Sequence, residues 1–119
     1  QKRRGQSWHT IEAPLDLVEA ITRVQEKGAP VLVDCLTLWL SNLREAGRDI
    51  DGETDSLLSC LSGIRCPVVI VSNEVGQGIV PVNELARRFR DQAGLLNQAV
   101  AAIADRVFFV TAGIPAQLK

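Results

Sequence analysis

The chain has 119 residues, enough for one domain with a core of its own and near the lower edge for an α/β enzyme. Its 13 Lys plus Arg stand against 14 Asp plus Glu, a formal net charge of −1, so nucleic acid or an anionic membrane as the main partner has no electrostatic support. Hydrophobic residues make up 46% of the chain, which argues for a folded core, and no apolar run approaches the length of a membrane span.

Residues 1–7 are polar and basic, with Lys2, Arg3 and Arg4 in succession. Such a trio reads as a solvated terminus or as a grip on a phosphate chain through charge-assisted hydrogen bonds. Trp8 to Glu12 suits a short extended segment. Pro14 fits a first helical turn, and Leu15, Val18, Ile21 and Val24 recur along one face until Lys27-Gly28 supplies a stop.

The next element is a strand over 29–34, in which Val31-Leu32-Val33 closes on Asp34. Three apolar residues ending in an acid have the shape of a Walker B strand, which delivers one carboxylate to the sheet edge where a nucleotide-bound Mg²⁺ can be held. An acid in that place equally serves to cap a following helix. Residues 36–46 read as a helix ended by Gly47, 49–53 as a polar linker, and 54–64 as a second helix carrying Leu57, Leu58, Leu61 and Ile64.

Pro67 opens an apolar, β-branched run with the composition of a strand buried on both faces. It breaks into Ser72-Asn73-Glu74 and two glycines, Gly76 and Gly78, before Pro81. Polar groups past the C-terminal end of a buried strand are where open α/β sheets place ligands, although an ordinary strand-to-helix connection looks the same. From 82 to 105, Leu85, Phe89, Ala93, Leu96, Val100 and Ile103 step by three or four, which is the strongest helical period in the chain. Arg87, Arg88 and Arg90 fall mostly off that stripe, as a solvated face would. A buried strand over 106–110 follows, and 114–118 suits an edge strand. Strands alternating with helices imply a parallel sheet with right-handed crossovers.

Cys35, Cys60 and Cys66 contain no Cys-x-x-Cys pair, and His9 is the one histidine, which argues against a zinc site or a disulfide framework. Cys35, inside an apolar run, reads as a small buried side chain in a reducing, cytoplasmic compartment. His9 is the obvious acid–base or nucleophilic candidate by residue type. Beside Trp8 in a basic segment, it reads instead as structural or solvent-facing. No Gly-x-x-x-x-Gly-Lys-Ser/Thr phosphate loop and no Gly-x-Gly-x-x-Gly fingerprint occur in the 119 residues.

Four blocks in order carry a resemblance: Asp34-Cys35-Leu36-Thr37-Leu38-Trp39-Leu40-Ser41-Asn42; Ser72-Asn73-Glu74-Val75-Gly76-Gln77-Gly78-Ile79-Val80-Pro81; Ala86-Arg87-Arg88-Phe89-Arg90-Asp91; and Gly94 with Asn97-Gln98. Trp8, Thr10, Glu12 and Pro14 match a further Trp-x-Thr-x-Glu-x-Pro segment. Together they resemble the bifunctional adenosylcobinamide kinase / adenosylcobinamide-phosphate guanylyltransferase family of cobalamin biosynthesis, over essentially the whole chain.

The resemblance implies an α/β fold with a mostly parallel sheet of the RecA-like P-loop NTPase type, N-terminally incomplete here, with residues 1–119 forming a single domain from the C-terminal portion. It implies two activities. One phosphorylates the aminopropanol hydroxyl of adenosylcobinamide, with GTP, or ATP in its place, as donor. The other moves GMP from GTP through an enzyme histidine to adenosylcobinamide phosphate. Gln1, Lys2, Arg3 and Arg4 match the segment directly after that histidine, which by spacing falls just before Gln1. Glu12 and Asp34 match nucleotide-binding acids, with Mg²⁺ reached through Asp34, and Asn73 and Glu74 are expected to help shape the site. His9 stands where the family often has Arg and does not inherit the nucleophile's role. A homo-oligomer, as a trimer, is the implied assembly. The expectation is a chain inactive on its own as a fragment; the alternative is a catalytically silent nucleotide-binding or assembly module of P-loop ancestry.

Overall fold

The computed structural model of the chain describes residues 7–75, Gly78 and residues 82–119. The elements run α1 (Leu17–Gln25), β1 (Val31–Asp34), α2 (Leu36–Glu45), α3 (Ile50–Ser62), β2 (Val68–Val71), α4 (Glu84–Ile103), β3 (Phe108–Thr111) and β4 (Ile114–Gln117). The chain is an α/β protein with a parallel two-stranded sheet. β1 and β2 lie in register from Val31 opposite Val68 to Asp34 opposite Val71. The crossover between them is α2 followed by α3, the long connection that parallel neighbours need.

The sheet departs from the expected one in two ways. β3 and β4 pair antiparallel, in a separate two-stranded sheet, rather than extending the parallel one. The cause is local: Ala112 and Gly113 both have positive φ, the requirement of a two-residue hairpin turn, and this returns the chain at once. β3 is also not buried, since Phe108 is 51% and Val110 is 61% exposed. The strand begun at Pro67 is likewise not covered on both sides. Along β1 and β2 alternate residues point out, so Leu32, Val69 and Val71 are exposed while Val33 is buried. Among the described residues, helices cover one face of this pair.

α2 is the centre of the core. Leu36, Trp39, Leu40 and Leu43 are buried there with Ile21 of α1, Val33 of β1, Leu57 of α3 and Ala93 and Leu96 of α4. Gly47 ends its run with φ +67°, a left-handed conformation that costs a side chain about 1–2 kcal/mol. Residues 49–53 do not form the expected linker: α3 starts at Ile50, which packs against the core cluster and draws the first turn into the helix. α4 starts at Glu84 because Asn83 caps it, its Oδ1 accepting from the N–H groups of Leu85 at 2.8 Å and Ala86 at 3.2 Å. The middle of the α4 stripe is buried, whereas its ends, Leu85 and Ile103, are exposed.

Candidate functional site

β1 and β2 end side by side, so their C-terminal ends bring the residues that follow to one sheet edge. Asp34 is the last residue of β1 and is exposed there. The chain turns at Cys35 into α2, whose first turn holds Thr37. Thr37 is buried at 6% exposure, a polar side chain in an otherwise apolar core. Its Oγ1 lies 3.3 Å from Cys35 Sγ and accepts a hydrogen bond from Asn73 Nδ2 at 2.9 Å. Cys35 is thus half-buried and in polar contact rather than a core residue; Cys66 is the buried cysteine.

From the other side, α4 grips the chain leaving β2. Asn97 Nδ2 donates to the Asn73 carbonyl at 3.1 Å, and Ser72 Oγ donates to Asn97 Oδ1 at 2.5 Å. Further along, Arg90 Nη2 donates to the Gly78 carbonyl at 3.0 Å and Arg87 Nη1 to the Val82 carbonyl at 2.5 Å. Arg88 is exposed and pairs with Glu84 at 2.9 Å. The three arginines therefore divide: one is a solvated helix pair, and two hold backbone carbonyls of the loop.

Glu12 belongs to a second place. It lines an open groove of about 350 Å³ with Ile11, Pro14, Leu15, Asp16 and Arg23 along α1. α2 fixes this segment as well: Trp39 Nε1 donates to the Leu15 carbonyl at 2.9 Å, and Asn42 Nδ2 donates to the Pro14 carbonyl at 3.1 Å. Asp34 ends β1 at the sheet edge, Asn73 stands two residues past Val71, the register partner of Asp34, with Glu74 directly after, and Glu12 lies in the α1 groove. His9 is exposed, the solvent-facing one of the two readings its segment allows. Gln1, Lys2, Arg3 and Arg4 lie outside the described residues, as do Gly76, Gln77, Ile79, Val80 and Pro81 of the loop.

Thr37 and Asn97 are the residues that sequence reasoning passed over as site components. Both stand in the sequence blocks quoted above, where neither carries a role. The available signal was a hydroxyl on the core side of α2 where Val would pack equally well.

The model of the family described as cobinamide kinase / cobinamide phosphate guanyltransferase matches residues 1–118. The chain belongs to that family. Its relatives include a protein of Pseudomonas aeruginosa named bifunctional adenosylcobalamin biosynthesis protein CobP, 46% identical over 119 residues that make up 98% of this chain and 69% of the relative. The bifunctional adenosylcobalamin biosynthesis proteins CobU of Salmonella typhimurium and Escherichia coli are 39% and 38% identical, each over 98% of this chain and 72% of their own length. For this member of the cobinamide kinase family, the sheet-edge residues gain a context: Asp34, Thr37 and Asn73 all lie within the matched span.

Proposed function

We propose that the chain is part of a cytoplasmic enzyme with adenosylcobinamide kinase and adenosylcobinamide-phosphate guanylyltransferase activities. It would use GTP, or ATP in the kinase step, on a P-loop fold of RecA-like type. The observation that supports this most is the family match over residues 1–118 together with Asp34 standing at the C-terminal edge of a parallel strand pair. Acids at that edge are where α/β sheets meet nucleotides.

The division of labour follows from the residues. Asp34 presents a carboxylate at the sheet edge, and Glu12 contributes a second from the α1 groove. Gln1 to Arg4 are assigned to the nucleotide by their match to the family segment. Mg²⁺ prefers one or two carboxylates plus substrate phosphates to a cage of protein ligands. Asp34, a single hard oxygen donor on an exposed edge, fits that arrangement, and among the described residues no group of three or more His, Cys, Asp or Glu is placed to hold a metal without a nucleotide. When bound, the ion would neutralise phosphate charge. No step of the reaction is assigned to His9, which lies on an exposed segment.

Neither a phosphate loop nor a second histidine occurs among these 119 residues, so catalysis is assigned to them only in combination with sequence that supplies both. The same lack is what favours the competing reading, a silent nucleotide-binding module of P-loop ancestry. Incubation with α-labelled GTP separates the two. The 119-residue chain is expected to retain no covalent label, and retained label overturns that expectation. The product of the complete gene is expected to become labelled and to lose the label in mild acid, as a phosphoramidate does; no labelling there favours the silent module.

A further inference from the structure

Described residues after β2 are held at separate points by side chains of α4. Asn97 holds the Asn73 carbonyl at 3.1 Å, Arg90 the Gly78 carbonyl at 3.0 Å, and Asn83, at the end of the loop, caps the helix. At its start the loop is also held from α2, through Asn73 Nδ2 on Thr37 Oγ1 at 2.9 Å. Asn73 is exposed, yet its side chain and its carbonyl each have a protein partner, on two different helices. Ser72 completes the bracket by donating to Asn97 Oδ1 at 2.5 Å, which orients the Asn97 amide so that its Nδ2 faces Asn73.

Two features mark this as a positioning device rather than core packing. Thr37 is a buried hydroxyl at a site where an apolar isostere would fill the same space, so the hydroxyl's contribution is directional. The segment it fixes leads directly into Glu74, three residues past Val71, the residue paired with Asp34. Resting on the nucleotide-site reading above, we propose that Thr37 and Asn97 are positioning residues. Acting through Asn73, they set the path of the chain from β2 into Glu74 at the sheet edge that Asp34 occupies. Neither side chain touches the nucleotide; both determine where the groups that flank it stand.

The test uses the product of the complete gene and compares Thr37→Val, Asn97→Leu and Thr37→Ser with the parent. Rate of labelling from GTP, KM for GTP and thermal unfolding are measured for each. A displacement of about 1 Å costs a reaction up to about 100-fold, so Thr37→Val and Asn97→Leu are expected to lower the labelling rate by about 10- to 100-fold with KM changed less than about threefold. Thr37→Ser, which keeps the acceptor for Asn73, is expected to stay within about threefold of the parent in rate. A merely structural role would lower the unfolding temperature while folded protein kept the parental rate. Folded Thr37→Val and Asn97→Leu proteins that label at the parental rate overturn the proposal, as does Thr37→Ser impaired as deeply as Thr37→Val. If Thr37→Val does not fold, Asn97→Asp decides the matter: it keeps the acceptor for Ser72 but loses the donor to Asn73, and it must lower the rate. A parent that neither binds GTP nor becomes labelled overturns the nucleotide-site reading and this one with it, whereas an active parent with unaffected variants overturns only the positioning.

Discussion

Trp39 joins two tasks in one side chain. Its ring fills the core between the helices, and its indole N–H leaves the core to hold the Leu15 carbonyl at 2.9 Å. That bond fixes the segment that carries Glu12. Trp39→Phe keeps an aromatic ring but leaves the carbonyl without its donor and the ring space partly empty. The expected cost is about 1–3 kcal/mol in urea unfolding, and an unchanged midpoint would contradict the role given to the indole N–H. Residues of this kind differ in how legible they are in sequence. Asp34 could be singled out because an acid closing a three-residue apolar run is a one-dimensional pattern. Thr37 and Asn97 could not, because their meaning comes from position 73, which lies 36 and 24 residues away in the chain. Spacing within a helix shows that a threonine faces the core, but not what its hydroxyl meets there.

At the scale of elements, the helices were readable wherever a stop signal coincided with the end of a period. Gly47 closes α2 and Gly28, with φ +73°, follows α1, both as their positions in sequence suggested. The failures were at starts. α3 begins at Ile50 rather than after a linker, because tertiary packing of Ile50 outweighs the weak helix preference of the Asp-Gly pair behind it. α4 begins at Glu84 because Asn83 supplies two capping bonds. Asn83→Ala removes both and is expected to destabilise the protein by about 1 kcal/mol. The measurement is chemical unfolding of the variant beside the parent; equal stability would mean that the cap contributes nothing. Strand composition misled for a physical reason as well. Val68-Val69-Ile70-Val71 has the apolar continuity of a doubly covered strand, but among the described residues the helices cover one face, so the side chains alternate between core and solvent.

Across the whole molecule, one helix organises both places where Asp34 and Glu12 stand. α2 lies at the centre of the core, and polar side chains leave it in two directions. Thr37 reaches Asn73 at the sheet edge, while Trp39 and Asn42 reach the segment beside the α1 groove. The sheet edge with Asp34 and the groove with Glu12 are therefore referred to a common rigid element, as the proposed site, assembled from separated stretches of chain, would need. The parallel pair and its helical crossover were legible in the alternation of elements. The antiparallel hairpin was not, because its reversal depends on Ala112 adopting a positive φ that alanine rarely takes.

Binding of Mg·GTP to the product of the complete gene, measured by calorimetry for the parent and for Asp34→Asn, tests the nucleotide-site assignment most directly. Removing the Asp34 carboxylate from the sheet edge is predicted to weaken Mg·GTP binding by about tenfold or more, since a lost charged contact is worth about 1.5–3 kcal/mol. An Asp34→Asn protein that is folded and binds Mg·GTP as tightly as its parent would contradict it.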